Sequence, residues 1–278
     1  MKWTALASPH SQSDGFLWLD EYLNQSGHSS DLDLVTLEEG ESLKDLVEEK
    51  KKQFQNIRFA SDFYESSAKL YDTNPVQTLT LKVGDCLKLS DGAWWLRCYT
   101  FQALNQIISK YGTQINLEGE VLIIGGGGFS RLCASAFIRI GFKNVNLSAL
   151  DYENVKGLAK DLERSYFGVK ARAIPSDQLI LLPGTHTVLI NTLKNTEDSI
   201  KLLTELYYFN FLKQGGMVWD LNFLAVNSDL TKEAVDVGAF TLNGVELMAL
   251  TDVLWLKDNF AIDIDLKSYT EFLISKIK

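Results

Sequence analysis

The sequence predicts an α/β protein with two lobes, of which the second is a doubly wound parallel sheet. From residue 119 onward, short apolar runs alternate with amphipathic stretches, a pattern typical of parallel strands joined by helical crossovers. Residues 121–131, Val-Leu-Ile-Ile-Gly-Gly-Gly-Gly-Phe-Ser-Arg, indicate a buried strand, a glycine turn and the start of a helix. That order is typical of a Rossmann-like nucleotide-binding domain.

Hydrophobic periodicity predicts the elements of both lobes. In the first lobe it predicts helices at 14–23, 42–54 and 99–110, a strand at 32–37, and strands at 79–83 and 93–98 flanking a hairpin turn at 90–92. In the second lobe it predicts strands at 121–124, 145–150, 188–191 and 217–221, and helices at 132–140, 153–166 and 199–212. Three more helices are predicted at 230–237, 245–258 and 269–277. We expect the C-terminal helices to pack back on the first lobe. This places one domain at 1–104, completed by 241–278, and the other at 105–240, with a ligand cleft between them.

The composition is that of a globular protein, with 46% hydrophobic and 23% charged residues. A net charge of −9 argues against nucleic-acid and anionic-membrane partners, since both require a basic surface. The three cysteines are too scattered for a disulfide framework, and no His, Cys or carboxylate cluster has metal-ligand spacing, so we expect no metal. With no signal-peptide-like or membrane-spanning apolar run, a cytoplasmic location is expected.

The glycine turn is the predicted cofactor site. Its backbone N–H groups and the helix N-terminus are suited to a pyrophosphate, and a Cβ would block the close approach of the ligand. The predicted binding residues are Gly125, Gly127, Gly128, Phe129 and Ser130. Ser130 stands where the usual fingerprint has its third Gly or Ala. The alternative is a tight turn between strand and helix that binds nothing.

Asp151 is the predicted ribose-binding residue. It follows the second strand of the lobe, 24 residues after Gly127. NAD-binding proteins place an acidic group for the ribose hydroxyl at a similar spacing of about 20 residues. NAD is therefore preferred over NADP, although a protein without cofactor is equally open. The alternative role for Asp151 is the N-cap of the helix that begins near Tyr152.

Five short motifs, in the correct order along the chain, resemble the shikimate dehydrogenase family. They are His10-Ser-Gln-Ser13, Asp91-Gly-Ala-Trp-Trp95, Gly125-Gly-Gly-Gly-Phe-Ser-Arg131, Val218-Trp-Asp-Leu221 and Asn243-Gly-Val-Glu-Leu-Met248. That family moves a hydride between NADP and the 3-position of shikimate. The resemblance therefore implies an N-terminal substrate-binding domain and an NAD(P)-binding domain. It also implies that Ser11 and Ser13 hold the carboxylate of a small ligand; the alternative is that this turn caps the following helix.

The residues that carry the family's chemistry are replaced in this chain. Thr100 stands at the position of the family's reacting-centre Asp, and Tyr64 at that of its Lys, the favoured general acid–base group. Ala-Leu-Asp, ending at Asp151, replaces the Asn-Arg-Thr that binds the 2′-phosphate of NADP, and Phe223 replaces a Tyr. A hydroxyl with no pKa near 7 is not a substitute for a carboxylate in acid–base catalysis.

The sequence thus favours a divergent protein of this type that lacks the standard shikimate oxidation chemistry, a pseudoenzyme. It would keep its cleft for a small carboxylate or a nucleotide, in a binding or regulatory role. The alternative is an active NAD(P)-dependent oxidoreductase acting on shikimate, quinate or a related hydroxy acid, with Tyr64, Lys69 or Asp62 in the proton relay. A third interpretation is an interaction scaffold with a purely structural glycine turn. A homodimer contact is also open, through whichever of Trp94 and Trp95 faces outward.

Overall fold

A computed structural model of the chain describes residues 1–70, 80–194, 196–204, 211–222 and 228–277. The chain divides into two compact units. The first contains Met1–Ala103 and Met248–Lys276, and the second contains Leu104–Leu247. Within the described residues, no helix is both long and apolar enough to cross a membrane.

The structure contains two sheets and the helices that flank them. The strands are β1 (Lys2–Ala7), β2 (Asp31–Thr36), β3 (Asn56–Phe59), β4 (Cys86–Ser90), β5 (Ala93–Arg97), β6 (Glu120–Ile124), β7 (Asn144–Ser148), β8 (Lys170–Ala173), β9 (His186–Asn191), β10 (Leu212–Asp220) and β11 (Phe240–Asn243). The helices are α1 (Asp14–Gln25), α2 (Leu43–Lys50), α3 (Tyr64–Lys69), α4 (Tyr99–Lys110), α5 (Gly128–Arg139), α6 (Tyr152–Ser165), α7 (Glu197–Thr204), α8 (Asp229–Asp236), α9 (Gly244–Phe260) and α10 (Leu266–Ile277).

The first unit is built on a mixed five-stranded sheet in the order β2-β1-β3-β4-β5. β1 pairs in parallel with β2 and β3, whereas β3, β4 and β5 pair antiparallel. The β4–β5 hairpin turns at Asp91 and Gly92, whose φ angles of 52° and 76° give the primed turn that matches the twist of the strands. Trp94 packs on the core of this unit, so the alternation of β5 turns Trp95 to the other face of the sheet.

The C-terminal helices complete the first unit. Trp255 of α9 lies against Trp3 of β1 with ring centroids 4.8 Å apart, and Tyr269 of α10 lies 4.8 Å from Tyr22 of α1. Each of these aromatic pairs buries a large apolar area and contributes on the order of 1 kcal/mol beyond that burial. The helices predicted to return to the first lobe therefore do so.

The second unit is a parallel sheet in the order β11-β10-β9-β6-β7-β8. In order of appearance within the unit this is 6-5-4-1-2-3, the strand order of the doubly wound dinucleotide-binding fold. Val121–Ile124 of β6 are fully buried, as expected for a central parallel strand covered on both faces. The prediction of an α/β protein with two lobes and a Rossmann-like second unit is confirmed.

Several element predictions need correction. The strand predicted at 79–83 is wrong, because Thr80 and Leu81 are helical and the partner of β5 is β4. The helix predicted to reach residue 212 ends earlier, since Leu212 begins β10. Strands β1, β3, β4, β8 and β11 were not predicted. Two of them, β3 and β8, contain an arginine within four residues, which obscures the apolar alternation.

Candidate functional site

The glycine turn joins β6 to α5 in the second unit. Gly127 precedes the helix with a φ of 89° and, as a glycine, gives it no side-chain N-cap. The helical hydrogen-bond pattern of α5 begins with the N–H of Arg131, which donates to the carbonyl of Gly127 at 3.0 Å. Gly128, Phe129 and Ser130 form the first turn of α5, whose N–H groups and dipole suit an anion.

Gly125 is required by a close contact as well as by its backbone. Its φ is 136°, and a Cβ built there would lie 2.0 Å from Thr192 Oγ1. Thr192 Oγ1 donates to the carbonyl of Ile124 and lies 2.7 Å from Ser130 Oγ. The buried hydroxyl of Ser130 therefore connects α5 to the end of β9 rather than lying open to a ligand.

Asp151 caps α6. Its Oδ1 accepts a hydrogen bond from the N–H of Asn154 at 3.1 Å, which is the capping role expected as the alternative. The residue is exposed, and this bond occupies one of its two carboxylate oxygens. The capping role and the predicted contact with a ribose hydroxyl are therefore compatible, and the second stays a prediction.

Tyr64 and Thr100 are brought together in the first unit, although they are 36 residues apart in sequence. The Tyr64 phenol oxygen and Thr100 Oγ1 lie 3.1 Å apart and are hydrogen-bonded. Tyr64 begins α3 and Thr100 lies in the first turn of α4. Burial raises the pKa of the Tyr64 phenol well above its usual value, and the charge of Asp85 raises it further. At neutral pH the pair is therefore uncharged.

Asp85 holds this pair in place. Its two oxygens accept the backbone N–H groups of Tyr99 and Thr100, at 2.9 and 2.5 Å, so it caps α4 from outside the helix. Burial raises the pKa of this carboxyl, whereas the hydrogen bonds from Thr100 and Tyr99 lower it. The arrangement fixes the Thr100 side chain next to Tyr64.

Ser8, Ser11 and Asp62 form a second polar group in the first unit. Asp62 Oδ2 accepts from Ser8 Oγ at 2.6 Å and from Ser11 Oγ at 2.8 Å. Ser11 Oγ in turn accepts the backbone N–H of Ser8 at 2.8 Å. Asp62 lies in the 3-10 turn Ser61–Phe63, immediately before Tyr64 and α3. The Ser11 hydroxyl, which the resemblance assigns to a ligand carboxylate, thus already donates to the carboxylate of Asp62.

Ser13, unlike Ser11, is not hydrogen-bonded to Asp62. It immediately precedes α1 but makes no capping hydrogen bond through its side chain. The side chain is half-buried. The capping alternative therefore does not hold for its hydroxyl, and a ligand-binding role for Ser13 stays a prediction.

The remaining candidate residues from the sequence are Lys69, Asp220 and Phe223. Lys69 is exposed at the end of α3. Asp220, buried at the end of β10, accepts hydrogen bonds from Asn191, Ser228 and the N–H of Asn222. Phe223 lies outside the described residues. Among the described residues, no group of three or more His, Cys, Asp or Glu side chains could hold a metal ion.

Sequence reasoning missed two contributors to these groups. The binding of Asp62 by Ser8 joins residues 54 positions apart, and no local spacing signals it. Thr192, which closes over Gly125, follows β9 and has no motif of its own in the sequence. Asp62 itself was a candidate only for the proton relay of the oxidoreductase alternative, and no hydrogen bond to the serines was predicted for it.

Comparison with solved structures finds close matches over the whole chain. A quinate dehydrogenase from Corynebacterium glutamicum in complex with NAD superposes with a TM-score of 0.81, at 14% identity over 99% of both chains. A Listeria monocytogenes shikimate 5-dehydrogenase in complex with shikimate and NAD gives 0.77, at 17% identity over 98% of this chain and 96% of that one. A 5-ketofructose reductase of Gluconobacter sp. strain CHM43 gives 0.74, at 14% identity over 99% of this chain and 97% of that one.

Comparison of the sequence alone does not detect this likeness. No protein-family model matches the sequence, and no curated protein matches it. The predicted resemblance is therefore confirmed at the level of structure, and identities of 14–17% leave the activity open. The chain has the two-domain α/β fold of the shikimate and quinate dehydrogenases.

Proposed function

We propose that this protein binds NAD at the glycine turn of its second unit and a small molecule in its first unit, without oxidising shikimate. Its role is then one of binding or regulation. The proposal departs from the activity named for its structural neighbours because of one observation, the neutral Tyr64–Thr100 pair.

The Tyr64–Thr100 pair stands at the positions where the resemblance places the family's Lys and Asp. General acid–base catalysis works best with a group whose pKa lies near the working pH. Thr100 has no accessible pKa, and burial together with Asp85 moves the pKa of Tyr64 away from neutrality. The pair can donate and accept hydrogen bonds, but it supplies neither a ready proton nor a ready base. Such a pair supports recognition of a hydroxyl-bearing ligand rather than hydride transfer from it.

The nucleotide part of the proposal rests on the geometry of the second unit. The strand order, the glycine turn between β6 and α5, and the N-terminus of α5 behind that turn are the features that bind a pyrophosphate in this fold. Asp151 offers a carboxylate oxygen at the end of β7, where NAD-binding proteins bind the ribose. Two of the structural neighbours were solved with NAD bound.

The test combines binding and turnover in one purified sample. Isothermal titration with NAD⁺ and NADP⁺ measures the first, and nicotinamide absorbance with shikimate or quinate measures the second. We expect NAD⁺ to bind and neither acid to be oxidised with either nucleotide. Turnover in the wild-type chain that falls by about 10²–10⁴ in Tyr64→Phe would overturn the proposal and establish the oxidoreductase alternative.

A gain-of-function variant tests the assigned cause. Restoring the family's residues in the double variant Tyr64→Lys, Thr100→Asp should introduce a titratable pair where the native one is neutral. If shikimate oxidation then appears, the neutral pair is what had removed the chemistry. Failure of wild-type and variant chains alike to bind NAD⁺ or NADP⁺, with the fold intact by circular dichroism, would instead favour the interaction scaffold.

A further inference from the structure

We propose that Asp62 supplies, from within the chain, the carboxylate that the serine hydroxyls of the first unit would otherwise bind in a ligand. The site then selects neutral or cationic polyhydroxylated ligands and rejects anionic ones. This inference rests on the proposed small-molecule role of the first unit and specifies its ligand class. It departs from the expectation that Ser11 holds a ligand carboxylate.

The first argument is a count of donors. A serine hydroxyl has one proton to donate. Ser11 Oγ lies 2.8 Å from Asp62 Oδ2 and gives its proton there, while its lone pair takes the N–H of Ser8. Ser8 Oγ lies 2.6 Å from the same carboxylate oxygen. The two hydroxyl oxygens also lie 3.0 Å from each other, but a carboxylate can only accept, so both contacts to Asp62 require the hydroxyl protons. A ligand carboxylate at Ser11 would have to displace Asp62.

The second argument is charge. A ligand carboxylate that shared these hydroxyls would lie about 5 Å from Asp62, since each hydroxyl is within 3 Å of that residue. At that separation and an effective dielectric constant near 20, the repulsion of two unit charges weakens binding roughly 200-fold. A neutral hydroxyl or an ammonium group meets no such penalty, and an ammonium group is attracted.

The third argument is the character of the neighbouring groups. Ser13 keeps a half-buried hydroxyl that does not cap α1. Two residues after Asp62, Tyr64 adds a neutral phenol that is hydrogen-bonded to Thr100. These are hydroxyls together with one anion, which matches the donors and acceptors of a sugar-like or amine-bearing polyol.

The experiment compares one ligand in charged and neutral form. Shikimate and its methyl ester carry the same ring hydroxyls, and only shikimate is an anion. Isothermal titration should show the wild-type chain binding the ester at least ten times more tightly than shikimate. In Asp62→Ala, both serine hydroxyls are released, and shikimate affinity should rise at least tenfold. Asp62→Asn should gain less, because the amide oxygen still accepts from Ser8 and Ser11.

A matched control removes a charge elsewhere in the same unit. Asp45→Asn, at an exposed position of helix α2, should leave the affinities for both compounds within twofold of wild type. Equal wild-type affinity for shikimate and its ester, or an Asp62→Ala chain that binds shikimate no more tightly than wild type, would overturn the inference. NAD⁺ titration of the same samples separates the two proposals. NAD⁺ binding with either of those results refutes only the role of Asp62, whereas loss of all binding by a folded chain refutes the proposed function too.

Discussion

The buried ion pair between Arg58 and Asp252 is the contact whose removal we expect to destabilise the first unit most. Arg58 lies in β3, and its guanidinium donates to Asp252 Oδ1 of α9 at 2.5 Å. The two side chains are 8% and 4% exposed. Tyr269 of α10 donates to the other carboxylate oxygen at 2.7 Å. One carboxylate thus joins the sheet to both C-terminal helices.

The change Asp252→Ala leaves two polar groups unpaired in the interior. Breaking a buried ion pair from one side costs ~3–5 kcal/mol, because the remaining charge is neither solvated nor paired. The Tyr269 hydroxyl also loses its acceptor, at ~1–3 kcal/mol. The Arg58 guanidinium lies 4.8 Å from the Trp255 ring centroid and 5.0 Å from that of Phe16, and these cation–π contacts offset ~1–2 kcal/mol. The net expectation is a loss of about 4 kcal/mol, or roughly 8–16 °C in Tm.

Thermal and urea unfolding followed by circular dichroism measure this loss. Asp263→Ala is the matched control, since its carboxylate lies 3.8 Å from Lys257 Nζ with both side chains more than half exposed. We expect it to change stability by less than ~0.5 kcal/mol. The apolar double variant Arg58→Met, Asp252→Leu should recover part of the loss, because the unpaired guanidinium is removed, while the Tyr269 hydroxyl still lacks its acceptor.

Two results would refute this reasoning. If Asp252→Ala costs no more than Asp263→Ala, the buried carboxylate does not carry the expected energy. If the apolar double variant is as unstable as Asp252→Ala, lost packing rather than an unpaired charge is the cause.

Three further predictions concern the second unit. Gly125→Ala should lower stability by ~2–4 kcal/mol in thermal unfolding, because a Cβ there meets Thr192 at 2.0 Å in a backbone with φ of 136°. Gly126→Ala, whose nearest neighbour would lie at 3.4 Å, should stay within ~0.5 kcal/mol, and equal losses would contradict the role of the contact. Asp151→Asn keeps a capping side chain but removes the charge. The ratio of the affinities for NAD⁺ and NADP⁺, measured by titration, should therefore fall about tenfold. If this ratio is unchanged, Asp151 serves only as the cap of α6. Burial lowers the pKa of His186 in the folded chain below its unfolded value near 6.5. The stability that the neutral imidazole contributes is therefore complete above about pH 6.5 and is lost as the pH falls through the lower folded pKa. His186→Gln should therefore weaken the pH dependence of the free energy of unfolding between about pH 7 and 5. If the fall in stability towards acid pH is unchanged in the variant, His186 does not cause it.

Local sequence was sufficient wherever a single segment carries the signal. Helix α4 was predicted at 99–110 and has those limits, because its apolar residues recur at helical spacing along one face. The strand, glycine turn and helix around Gly125 are likewise contained in a dozen consecutive residues, and the turn requires glycine there on backbone grounds alone. The Asp-Gly pair at 91–92 predicted the hairpin turn for the same reason.

Prediction failed where the position of a residue depends on a contact with a residue far away in the sequence. Strand β3 contains Arg58, which is buried only because Asp252 lies against it from 194 residues away, so its polarity hid the strand. The partner of β5 was placed at 79–83 because that run is more apolar than β4, and strand pairing depends on which segment reaches the sheet edge.

The candidate site divides in the same way. The sequence by itself determined the fold class, the glycine turn and the replacement of the charged residues that the resemblance leads one to expect at positions 64 and 100. Only the tertiary structure decided that Tyr64 and Thr100 are hydrogen-bonded to each other, and that Ser11 gives its proton to Asp62. The physical reason is that periodicity and turn preference act over a few residues. A hydrogen bond between side chains depends on a separation of about 3 Å, which only the folded chain sets.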